Sequence, residues 1–186
     1  MRLKKGRRGA PIVLVLAALA AVVTIAACGE GNAPSHPRSS GGSVALPAGW
    51  REIDGPITGV LYPKQVFAAA TYPIVFHHKP HSCFPKAALR QMPGDGVLLQ
   101  LVEYSPTDST GKPIRVPGLP PRPHRFSYAD ATYAIFECAG PSYKFDFEQR
   151  SRAFQAQVWF NRKTVGPRPR AEALQILDSF HPPRTH

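Results

Sequence analysis

Acidic residues are scarce in this chain of 186 residues, where 12 Asp and Glu stand against 23 Lys and Arg. The first acid to appear is Glu30. Cysteine is scarcer still, with Cys28, Cys83 and Cys138 the only three. Several familiar motifs are missing. None of Ser82, Ser105, Ser127, Ser142 and Ser179 sits in a Gly-x-Ser-x-Gly elbow, so nothing marks a catalytic serine. There is no glycine-rich phosphate loop, and Gly94-Asp95-Gly96 reads as a turn. No apolar run after residue 27 is long enough to span a bilayer, and no internal repeat suggests a solenoid.

What is present begins at the first residue. Residues 1–9 carry Arg2, Lys4, Lys5, Arg7 and Arg8, and residues 12–27 are almost wholly apolar. The run ends at Ile25-Ala26-Ala27-Cys28-Gly29. A charged start, an apolar middle and small residues before a cut site define a secretory signal peptide. The apolar run of 16 residues is shorter than the roughly 20 that a spanning helix needs, which weighs against an uncleaved anchor. Arg7-Arg8 is followed by Gly9-Ala10-Pro11 and reads as ordinary leader charge, not a twin-arginine signal.

Ile25-Ala26-Ala27-Cys28 resembles the lipobox of bacterial lipoproteins, which reads aliphatic, small, small, Cys. The resemblance covers residues 1–29. It implies a cut between Ala27 and Cys28, with a diacylglycerol thioether on Cys28. The mature protein would then be held on the outer face of the cell membrane. Two acyl chains such as palmitate give lasting attachment, at roughly 0.8 kcal/mol per buried methylene.

Export has consequences for the rest of the chain. Cys83 and Cys138 remain as an even pair in an oxidising compartment, so a disulfide between them is expected. Five of the 23 basic residues lie in the leader, leaving 18 against 12 acids, a balance of +6. That balance favours anionic envelope surfaces. Nucleic acid is not an expected partner of an exported protein.

Residues 28–48, rich in Gly, Ser and Pro, read as a flexible tether, and residues 49–182 as one domain, whose folded body starts near Val44 or Trp50. Pro47-Ala48-Gly49-Trp50 turns into a short strand. Residues 65–76 are apolar and extended, but Pro73 assigns them to an edge strand or an irregular segment. Residues 85–92 form a short helix opened by Pro85, and residues 97–104 a buried strand. Residues 105–125 are a proline-rich loop bearing Lys112, Arg115, Arg122 and Arg125.

From residue 126 onward the pattern is a β-meander. Residues 132–138 form one strand. In the next, Tyr143, Phe145 and Phe147 alternate with Lys144, Asp146 and Glu148. Arg150-Ser151 turns the chain. Phe154, Ala156, Val158 and Phe160 face the core, Gln155 and Gln157 face out, and Trp159 points outward toward a second layer or a ligand. Pro167 and Pro169 break the chain before a helix over residues 170–180. Leu174, Ile176, Leu177 and Phe180 supply its apolar face, with Ala171 and Ala173 packing close. The expected fold class is α+β: an antiparallel sheet of about five strands, with one C-terminal helix packed on it and one short helix.

The body is also broadly similar in layout to small exported proteins of GC-rich Gram-positive bacteria. The shared features are a Cys83-Phe84-Pro85 entry to a short helix, Glu137-Cys138 at a strand end and a closing Leu177-Asp178-Ser179. This similarity implies no activity.

Three surfaces remain as candidates for chemistry. His77, His78, His81 and Cys83 are of metal-ligating type. Adjacent His77 and His78 point to opposite sides of an extended chain, however, and Pro80 bars a helix that would align them. Glu137, Asp146 and Glu148 fall on strands near one another, where paired carboxylates could serve a glycosidase, but the alternation places them on the solvent face. The basic proline-rich loop suits a protein partner or an anionic surface. The leading expectation is a lipid-anchored binding or interaction module with no cofactor. A cell-envelope enzyme without a recognisable motif and a metal-handling lipoprotein using His77, His78 and His81 are the alternatives.

Overall fold

The computed structural model describes residues 43–182, apart from 106, 109, 113, 137, 138 and 162–164. The expected leader, Cys28 and the expected tether up to residue 42 lie outside the described residues, as do Glu137 and Cys138. The strands are β1 (Arg51–Glu52), β2 (Lys64–Ala70), β3 (Val97–Glu103), β4 (Thr132–Phe136), β5 (Gly140–Gln149) and β6 (Arg152–Phe160). The helices are α1 (Lys86–Arg90) and α2 (Pro167–Ser179). The strands form one sheet in the order β1-β2-β3-β6-β5-β4, with every neighbouring pair antiparallel. The fold is α+β as expected, with six strands in place of about five; the two-residue β1 makes the difference.

Side-chain alternation assigns the two faces. In β5 and β6, Phe145, Phe147, Phe154, Ala156 and Val158 turn to one side, where Val97, Leu99 and Leu101 of β3 join them. Against that side lies α2, burying Ala173, Ile176 and Leu177, with Phe180 at its end. Truncating Leu177 to Ala would cost about 2–5 kcal/mol. The turn between β5 and β6 is tight because Arg150 and Ser151 both adopt positive φ, 54° and 58°, which matches the twist of a two-residue hairpin.

Several boundaries and one packing contact differ from expectation. Val44 and Leu46 are buried in the α2-side core, and Ser43 pairs with His181, so of the two expected starts of the folded body, Val44 and Trp50, packing begins at the earlier one. The polar composition just ahead of them masks a short apolar alternation. Strand β2 lies inside the sheet and stops at Ala70, before Pro73, so the proline never meets the ladder. Pro167 and Pro169 start α2 instead of preceding it, because first-turn N–H groups lack helical partners anyway. Ala171 is exposed and does not pack against the sheet.

The opposite face of the sheet is half covered. Trp159, Leu98, Ala68 and Ala70 pack there against Ile57, Tyr72 and Ala88 of α1. Outward-pointing Trp159 therefore meets a second layer. Tyr72 fastens that layer by donating from its hydroxyl to Ala88 O at 3.0 Å. Past the end of this cover the sheet face is open.

Candidate functional site

Where the cover ends, the sheet turns polar. Gln100 of β3, Gln155 and Gln157 of β6, and Lys144 of β5 form the floor of a groove of about 390 Å³. Register brings them together: Gln100 lies opposite Gln157, and Gln157 opposite Lys144. Thr58, Val60 and Tyr62 make one wall, with Cys83 and Phe84 on another and Tyr104 at the end of the floor. The Tyr62 and Tyr104 rings meet edge to face at 6.4 Å, and the Tyr62 hydroxyl donates to Tyr104 O.

The floor is a hydrogen-bonded relay. Gln157 Nε2 donates to Gln155 Oε1 at 3.2 Å, and Gln155 Nε2 donates to Asp146 Oδ1 at 2.7 Å. Asp146 also pairs with Lys144 Nζ at 2.9 Å. Gln100 Nε2 donates to Gln65 Oε1 at 3.2 Å, which also accepts from Ile57 N at 3.0 Å. Gln65 Nε2 in turn holds Gly55 O at 2.8 Å. These bonds tie the 53–63 wall to the sheet. Burial raises the Tyr104 phenol pKa above its ordinary value. The Asp146 charge adds to the rise and Lys144 opposes it, so the phenol stays a neutral donor. With Lys144 and Asp146 paired, the groove offers amides and phenols without a dominant charge.

The residues singled out from sequence are distributed around this groove or away from it. Cys83 stands exposed on its rim with a free thiol, and its expected partner Cys138 lies outside the described residues. His77, His78 and His81 are exposed beside a neighbouring cavity of about 600 Å³ next to α1. Among the described residues, no three His, Cys, Asp or Glu side chains come together as a metal site. Asp146 belongs to the groove relay, while Glu148 pairs with Arg115 at 3.0 Å.

The proline-rich loop is fastened along its second half. Arg122 N donates to Glu148 O at 2.8 Å, and Glu148 N to Pro120 O at 2.7 Å, so Pro121 bridges to the end of β5. Tyr128 is built into the aromatic packing beside α2, donating to Arg170 O at 3.0 Å.

Sequence reasoning missed Gln65 and Gln100 as functional candidates and read Gln155 and Gln157 only as solvent-facing. One signal was visible: Gln100 interrupts the otherwise apolar Val97–Val102 run. A buried amide in such a strand must find partners.

No family model, curated protein or solved structure is similar enough to this chain to count as a match. Among the described residues, no helix is long and apolar enough to cross a membrane.

Proposed function

We propose that this chain is a lipid-anchored extracytoplasmic binding module, held through Cys28, whose groove takes an uncharged, hydroxyl-rich ligand of the short-saccharide class. The observation that carries the ligand class is the amide floor of Gln100, Gln155 and Gln157, bordered by the side chains of Tyr62 and Tyr104. Amides donate and accept at once, as sugar hydroxyls do. Aromatic rings give a sugar ring an apolar face to rest on. The volume of about 390 Å³ lies in the usual range for small-ligand pockets, about 300–1,000 Å³. Binding without catalysis is favoured because Asp146, the acid of the floor relay, is already paired with Lys144 and Gln155. A Cys83–Cys138 disulfide belongs to the same proposal: the Cys83 thiol is free in the structure, and its oxidation with the Cys138 thiol in an oxidising compartment would fix the 82–84 wall.

A glycan array of neutral hexose, pentose and N-acetylhexosamine oligosaccharides, probed with the labelled protein in detergent, tests the groove. The expected result is binding to one class, weakened at least about tenfold in Gln157→Ala, which removes about 1.4 kcal/mol. Absence of binding to every glycan, or binding unchanged in Gln157→Ala and Gln100→Ala, would overturn the saccharide reading.

A further inference from the structure

A second site lies on the other face, beside the start of α2. Arg170, in the first turns of that helix, is enclosed by rings. Its guanidinium carbon sits 4.6 Å from the Phe160 ring centre, 4.9 Å from Tyr128 and 5.3 Å from Tyr143. Nη2 donates to the Tyr143 hydroxyl at 3.3 Å. Among the described residues no carboxylate pairs with Arg170. The nearest acid in sequence, Glu172, is committed to Arg168 at 2.8 Å and to the Trp50 indole at 3.0 Å.

This is an unusual place for a lone cation. The N-terminal end of a helix carries partial positive charge and disfavours another. The first turn of α2 contains no acid. Ring faces compensate by attracting the guanidinium. Apart from the bond to the Tyr143 hydroxyl, the guanidinium makes no other hydrogen bond among the described residues, although it carries five N–H donors. Beside Arg170 is a cavity of about 190 Å³ lined by Tyr133, Pro141, Tyr143, Phe160, Asn161 and Val165. The Tyr133 ring stands 5.3 Å from that of Tyr143 and is more than half exposed, forming the outer wall. So small a cavity suits the head of a larger molecule, since whole-ligand pockets start near 300 Å³.

We propose that the Arg170 pocket is an oxyanion subsite, taking one carboxylate or phosphate group through the N–H edge of Arg170, with the Tyr143 hydroxyl beside it. An Arg fork matches both groups in a bidentate manner. The site is independent of the groove and stands whether or not the groove binds sugar.

The test is NMR on the protein in detergent micelles, following the Arg170 Nε–Hε signal. Inorganic phosphate and sodium acetate are titrated against sodium chloride at matched ionic strength. The expected result is a saturable shift with phosphate or acetate and none with chloride. Arg170→Gln should abolish it. Arg170→Lys keeps the charge over the rings without the fork, and should weaken binding about tenfold. Tyr133→Ala removes only the outer wall and guards against a folding defect in the Arg170 variants; it should weaken binding severalfold. Sedimentation with phosphatidylglycerol–phosphatidylcholine vesicles identifies the source: Arg170-dependent pelleting assigns the group to a lipid headgroup, and soluble-anion shifts without such pelleting assign it to a soluble or polymer-borne anion. Equal shifts in chloride, or shifts that persist in Arg170→Gln, would overturn the proposal.

Discussion

Arg122 closes the C-terminal end of α2 by donating from Nη2 to Asp178 O at 2.7 Å, while the Asp178 carboxylate accepts from Phe126 N at 2.8 Å. The same guanidinium nitrogen reaches Leu177 O at 3.0 Å. A loop rich in proline thus supplies the cation that a helix C-terminus favours. Removing it in Arg122→Ala should cost about 1–3 kcal/mol, the range for hydrogen bonds to a charged group, and urea unfolding measures it. Arg115→Ala breaks an ion pair whose arginine is largely exposed, and should cost no more than about 1 kcal/mol. Equal losses in the two variants would contradict this account of the loop.

Arg152 and Glu103 form a two-point ion pair, with Nε–Oε1 and Nη2–Oε2 both at 2.6 Å and both side chains largely buried. The pair ties the end of β3 to the start of β6. Arg152→Ala leaves Glu103 largely buried without this partner, and should destabilise by about 3–5 kcal/mol in chemical denaturation. The double variant Arg152→Met/Glu103→Leu should recover most of that loss. Failure of the double variant to recover would show that the pair does more than neutralise its own buried charges.

Gly59 binds the two loops that flank the groove. Its N–H donates to Ser82 O at 2.7 Å, and a Cβ there would stand 2.6 Å from Pro80 O and 2.8 Å from His81 Cα. Both neighbours are backbone and cannot swing aside. Gly59→Ala should destabilise by about 1–3 kcal/mol, as overpacking does. It should also speed hydrogen exchange at residues 57–60 and 82–84 while leaving β5 and β6 protected. Unchanged exchange at these positions would mean that the loops are not held together there.

Tyr72 and Tyr128 predict how stability responds to alkali. Burial raises both phenol pKa values above the ordinary one; at Tyr128 the Arg170 charge opposes the rise and Tyr143 adds to it. A group whose folded pKa exceeds its unfolded value contributes stability that is fully present below the unfolded pKa, about 10 for tyrosine. That contribution is lost as pH climbs from there through the folded values. The urea midpoint should therefore not fall on account of these groups up to about pH 9.5, and should drop above pH 10. Tyr72→Phe and Tyr128→Phe should each lose about 1 kcal/mol at neutral pH, for the missing hydrogen bond, and should flatten the alkaline fall. An alkaline fall as steep in both variants as in the parent would contradict this assignment.

The sheet was legible in sequence wherever one face is purely apolar. Tyr143, Phe145 and Phe147 against Lys144, Asp146 and Glu148 gave β5, and the Arg150-Ser151 turn placed β6 opposite it. The alternation around Trp159 directs it outward, and Leu98, Tyr72 and Ala88 explain why a large apolar side chain points that way. Prolines misled in both directions: Pro73 lies beyond β2, while Pro167 opens α2. The groove was not legible. Gln65 meets Gln100 only because the β2–β3 register shifts between Gln65 and Phe67 and the 53–63 segment folds back over the strand. Neither event is written into a two-residue alternation. Arg170 was equally hidden, since its rings come from β5, β6 and the segment before β4.

The anchoring claim has the most direct test: the intact mass and N-terminal peptide of the protein purified from membranes. The account predicts a chain that begins at Cys28 and carries a diacylglyceryl group there, and a Cys28→Ser variant that is neither lipidated nor cut at that site. A membrane-bound, processed protein with an unmodified Cys28, or identical processing in Cys28→Ser, would contradict it.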